Sequence, residues 1–176
     1  MSDHERLSYP TGRFTPEPAP TDALHRRWIE DVRSLPAQLA AALEGLDEAA
    51  LDATYRDGSW TVRQIVHHLA DGHGTSFFRF KHAIAEESPP VAAWEETLWA
   101  QTPEASVAPI ESSVLMIEGI HSRWAFLLDS MAAHDFARVY RHPEKGDVTL
   151  DWLLQYTAWH GKHHVAHIGI ARGAPV

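Results

Sequence analysis

The 176-residue chain contains no cysteine. This excludes disulfides, thiolate nucleophiles and thiolate ligands, so any metal must be held by nitrogen and oxygen. No apolar run approaches the ~18 residues of a membrane span, which speaks against a membrane partner. Positive charge is scarce as well. Against 24 Asp+Glu stand 15 Lys+Arg, a net charge of −9. Binding phosphates needs a cationic surface, so nucleic acid is not the expected partner. There is no Gly-x-Ser-x-Gly elbow for a serine hydrolase. The opening Met1-Ser2-Asp3-His4-Glu5-Arg6 carries none of the apolar core of a signal peptide. A cytoplasmic protein of one domain, long enough to bury a real core, is the expectation.

Histidine is what the chain has in quantity, 13 in all. Four of them fall in Trp159-His160-Gly161-Lys162-His163-His164-Val165-Ala166-His167-Ile168. At about 100° per residue, His160 and His164 lie roughly 40° apart on a helix, and His167 about 20° to the other side of His160. Three imidazoles therefore share a face, with His163 on its flank. A solvated face or a satisfied core histidine explains one such residue. Three on one face point to a divalent metal, and an i, i+4 pair offers it two nitrogens. A catalytic centre usually takes three protein ligands and keeps one position open.

Four long helices can be read from apolar spacing. Residues 1–20, with Pro10, Pro16, Pro18 and Pro20, read as an extended arm that Tyr9 and Phe14 could pin to the body. Residues 21–176 read as the single bundle domain. Thr21 or Asp22 caps a first helix to about Glu44, kinked or divided at Pro36 and stopped at Gly45. Ser59 reads as the cap of a second helix that runs through Trp60 and on to about Ala85. Segment 91–109, with Trp94 and Trp99, reads as a long loop with at most a short helix. A third helix spans about 110–133. Thr149 begins the last, and His142-Pro143 through Asp147 form a turn. With no convincing strand pattern, an all-α four-helix bundle is the expected fold.

The second helix offers His67, His68, Asp71 and His73 as further ligands. Adjacent positions diverge by about 100°, so only one of His67 and His68 can face the bundle axis squarely. His68 shares a broad side with Ile65 and Gly72, whereas His67 falls nearer Arg63 and Gln64, which favours His68. Asp71, a turn further on, could orient a ligand imidazole or be a solvated acid.

The run Tyr55-Arg56-Asp57-Gly58-Ser59-Trp60-Thr61-Val62-Arg63-Gln64 leads into His67-His68-Leu69-Ala70-Asp71. With Trp159-His160-x-x-x-His164, this resembles the DinB/YfiT-like family of metal-dependent hydrolases. Leu7-Ser8-Tyr9-Pro10-Thr11-Gly12, His121-Ser122-Arg123-Trp124 and His142-Pro143 resemble its YfiT-type branch. The resemblance implies a four-helix bundle, commonly a homodimer, with one divalent ion per chain, zinc or nickel. It implies His68, His160 and His164 as the ligands, His67 being the neighbouring alternative to the first. It also implies a small-molecule substrate.

Such a site can activate bound water, the hydrolase reading. It can equally bind a low-molecular-weight thiol of the bacillithiol type and transfer it to electrophiles. A bundle that only stores or senses metal is the reading from another class. A ferritin-like di-iron site needs two Glu-x-x-His motifs, and Glu118-Gly119-Ile120-His121 is the single one present. His121, His163, His167 and Asp71 are candidate proton carriers.

Overall fold

A computed structural model of the chain describes residues 3–175. Its helices are α1 (Asp3–Ser8), α2 (Asp22–Leu43), α3 (Glu48–Leu51), α4 (Val62–Ala85), α5 (Glu96–Ala100), α6 (Pro103–Val107), α7 (Glu111–Ser130) and α8 (Leu150–Ala171). Two short strands, β1 (Val139–His142) and β2 (Gly146–Thr149), precede α8. The long helices α2, α4, α7 and α8 form the bundle. Each of α2 and α4 packs against both α7 and α8, so α2 lies diagonally across from α4, and α7 across from α8. Consecutive long helices at opposite corners need long connections, and the intervening short elements supply them. No helix of the described residues is long and apolar enough to cross a membrane.

Helix starts follow from hydroxyl caps. Thr21 accepts from the Leu24 amide and Thr149 from the Trp152 amide. The cap of α4 is Thr61, not Ser59: Thr61 and Gln64 close a reciprocal capping box. Ser59 sits before it, its hydroxyl donating to the Trp60 carbonyl and accepting from the Arg56 amide. Trp60 therefore precedes the helix instead of lying in its first turn. Pro36 neither divides nor ends α2, which runs unbroken from Asp22 to Leu43. Gly45 follows with φ +73, which glycine adopts without a Cβ clash.

Three expectations need correction. The arm is not extended throughout, because residues 3–8 form α1; the prolines that argued against a helix begin only at Pro10. Met1 and Ser2 lie outside the described residues. The arm is pinned to the body, with Phe14 edge-on to Trp152 and Tyr156 and the Trp159 indole donating to the Gly12 carbonyl. Segment 91–109 holds two short helices rather than one, the second capped by Thr102. Finally, the turn at residues 143–145 joins an antiparallel hairpin pairing Val139 with Thr149. Strands of four residues are too short for alternation to stand out, although Tyr140 and Val148 do point into the core.

The apolar interior is divided in two. One cluster gathers Val32, Phe77, Phe80, Trp124, Leu128, Leu150 and Leu154. The other gathers Leu39, Val62, Ile65, Leu69, Ile117 and Ile168. Along α4, α7 and α8 the buried residues between these clusters include histidines: His73, His121, and His160 with His164. On α2 the corresponding position is Leu35, and there Gly161 of α8 makes room. A Cβ at Gly161 would stand 2.9 Å from both methyls of Leu35. The fold thus carries a buried imidazole layer between two hydrocarbon clusters.

Candidate metal centre

Helix α4 presents His68 toward α8, where His160 and His164 stand one turn apart. All three are buried, and their nearest ring nitrogens lie within 4.8 Å of one another. The Nε2 atoms of His68 and His160 are 3.0 Å apart. Burial disfavours the imidazolium form. It lowers His68 to about 4 and holds His160 and His164 well below the ordinary histidine value. All three are therefore neutral at pH 7, the form that coordinates a metal.

The donor set fits a divalent ion. Two nitrogens at ~2.0–2.1 Å from a tetrahedral centre stand about 3.3 Å apart, close to the His68–His160 separation. His68 Nδ1 is buried without a hydrogen-bond partner. Two neutral imidazole nitrogens drawn face to face in a buried place suit a shared divalent cation.

His67, the neighbour of His68, points elsewhere. Its Nδ1 lies 2.8 Å from the Ser113 hydroxyl, and its Nε2 meets the Ala108 carbonyl at 3.3 Å. Asp71 does not take the orienting role. It is half-buried, its carboxyl raised by burial and then by Glu104, and no hydrogen bond among the described residues joins it to His68. His163, His164 and His167 form a second cluster of close ring nitrogens on α8. Its His167 stacks on Tyr55 at 3.8 Å and its Nδ1 lies 3.4 Å from His164 Nδ1.

Behind His160 the imidazoles continue. His160 Nδ1 is 3.1 Å from His73 Nε2, and His73 Nδ1 is 2.9 Å from His121 Nε2. His121 Nδ1 ends the series on the Val32 carbonyl at 2.6 Å. Spacing on α4 offers His73 only as one further candidate ligand, and the structure places it behind His160 instead. The signal that could have found it is the apolar gap shared by α4 and α7, which places His73 and His121 at one level.

The centre is reached from two sides. His68, His73 and His160 line a cavity of about 210 Å³ with Trp94, Tyr156 and Arg79. His164 and Trp60 line an open groove on the other side, with Tyr9, Arg13 and Arg56 at its edge. Trp60 and Trp94 flank His68, with centroids 4.6 and 5.7 Å away, and shield it from bulk water. Burial raises the Tyr156 phenol to about 12, so it keeps its hydrogen at neutral pH.

Residues 32–168 match the sequence profile described as the DinB superfamily. A Bacillus mycoides protein is 41% identical over 162 residues, covering 92% of this chain and 93% of that protein. A Bacillus cereus protein is 40% identical over the same length and shares. Both are named, provisionally, as metal-dependent hydrolases. Among solved structures, YfiT from Bacillus subtilis superposes with a TM-score of 0.90 at 36% identity, covering 97% of this chain and 99% of its own. It is described in the same provisional terms, with an unusual four-helix bundle topology. TT2238, a four-helix bundle protein at 18% identity and TM-score 0.53, is similar in fold alone.

Proposed function

The chain belongs to the DinB superfamily, and from that premise we propose that it is a metal-dependent hydrolase whose single divalent ion is held by His68, His160 and His164. The observation that carries this reading is the convergence of three neutral, buried imidazoles: His68 and His160, whose Nε2 atoms are 3.0 Å apart, on the wall of one cavity, and His164 on the wall of the second groove. When bound, such an ion supplies Lewis acidity that lets a coordinated water act as nucleophile near neutral pH.

The chain's own residues do the rest. Trp60 and Trp94 hold water away from the ligand rings. Tyr156 lies against His160, centroids 5.5 Å apart, and can donate a hydrogen bond to a substrate oxygen in the cavity. Arg79 and Lys145 line the same cavity, where Glu96 and Glu144 also stand, a mixed charge suited to a small polar substrate.

The second approach, by way of His164, favours one variant of the reaction. A low-molecular-weight thiol could enter one side and an electrophile the other, making the protein a thiol S-transferase.

The first test is the metal content of protein purified without an affinity tag. Wild type and His67→Ala should carry about one divalent ion per chain, and His68→Ala and His164→Ala should carry none. Metal-free wild type that cannot be reloaded defeats the proposal. An ion lost on His67→Ala but kept on His68→Ala defeats the ligand set.

A further inference from the structure

The carbonyl of Val32 is unusual in being available at all. Within α2 it would normally accept from the amide four residues on, but that residue is Pro36, which has no N–H. Val32 is buried, so water does not reach it. His121 Nδ1 takes the place of the missing amide, at 2.6 Å.

This contact fixes more than one ring. A carbonyl only accepts, so His121 must carry its hydrogen on Nδ1. Its Nε2 is then a bare acceptor, and His73 must donate to it from Nδ1 across 2.9 Å. His73 Nε2 is in turn an acceptor, and His160 must donate to it from Nδ1 across 3.1 Å. What remains on His160 is a bare Nε2 facing His68. We infer that His73 and His121 are positioning residues: hung from the Val32 carbonyl that Pro36 leaves free, they hold His160 in the Nδ1–H tautomer, with its Nε2 lone pair aimed at the metal position. The inference rests on the three-histidine reading for what that lone pair does.

The chain of rings is not a route for protons. It ends on a carbonyl, which keeps no proton at neutral pH, and burial of all its members disfavours imidazolium. Its output is orientation, the role that partners of ligand imidazoles play in metal sites generally. His164 has a looser counterpart in His167, whose Nδ1 lies 3.4 Å away.

The deciding measurement is the tautomer of each imidazole in the metal-free, full-length protein at pH 7.5, read by long-range ¹H–¹⁵N correlation. His160, His73 and His121 should all carry hydrogen on Nδ1, the less populated tautomer of histidine free in water. Hydrogen on Nε2 of His160 or His73 overturns the inference without touching the question of metal binding. Zinc affinity, measured by competition with a chelator, supplies the second arm. His73→Phe removes the acceptor and should weaken zinc about 10–100-fold. His73→Gln, whose side-chain oxygen can still accept from His160 Nδ1, should recover most of that loss. Equal losses in the two variants, or none in His73→Phe, overturn it. Wild type that takes up no zinc defeats the three-histidine reading, and the tautomers still decide the arrangement of the rings.

Discussion

Metal-free protein is expected to unfold cooperatively as pH falls from about 6.5 toward 4. An unfolded histidine titrates near 6.5. In the native state burial holds His68 at about 4, and His73, His160 and His164 well below 6.5. Above pH 6.5 both states are neutral at these rings, and stability does not depend on pH through them. Below it the unfolded chain binds protons that the native interior refuses, so stability falls as pH falls. Each such ring contributes about 1.4 kcal/mol per pH unit, and four together about 5.5 kcal/mol per unit. A domain has only ~5–15 kcal/mol in all, so roughly two to three units suffice. Far-UV circular dichroism across pH 7.5 to 3.5 measures the transition. Saturating zinc, which binds the neutral rings, should move it to lower pH. A native spectrum at pH 4 without metal would refute the assignment of these histidines as buried and neutral.

The largest single loss of stability should come from Trp124→Ala. Trp124 is fully buried on α7, against Phe77 and Phe80, one turn beyond His121. Emptying that volume costs ~3–5 kcal/mol, because the facing aromatic rings cannot collapse into it. The cavity would open beneath the His121 ring, so zinc affinity should fall as well. Trp124→Phe makes a sharper comparison. The indole nitrogen has no hydrogen-bond partner in its buried place, and removing an unpaired donor relieves ~1–3 kcal/mol that offsets part of the lost contact. Denaturant titration of the three proteins should therefore place Phe much nearer wild type than Ala. Equal midpoints for Phe and Ala would show that the site repacks freely.

The bundle could be read from the chain because its four long helices have strong apolar spacing and plain stops. The ligand candidates on α8 could be read because i, i+4 geometry is a local property. Choosing His68 over its neighbour used only the phase of one helix, and the structure places His68, not His67, beside His160. What could not be read was anything set between helices. That Gly161 makes room for Leu35 of α2 is invisible along α8 alone. Asp71 had the right spacing for a supporting role, yet the group behind His160 comes from α4 and α7 at a shared level, which no single helix reveals. The β1–β2 hairpin failed for another reason. Its strands are too short for a period of two to outweigh the turn residues between them.

Pro36 would be the obvious first target for anyone engineering this protein for heat resistance. A proline inside a helix costs about 3 kcal/mol against alanine, and a consensus-minded designer would replace it. The replacement returns an amide to the backbone, and that amide competes with His121 for the one carbonyl both can use. A variant selected for melting temperature at this position would be stiffer and, on the proposed ligand set, would hold zinc less tightly. What looks like a flaw in one helix is a fitting for another.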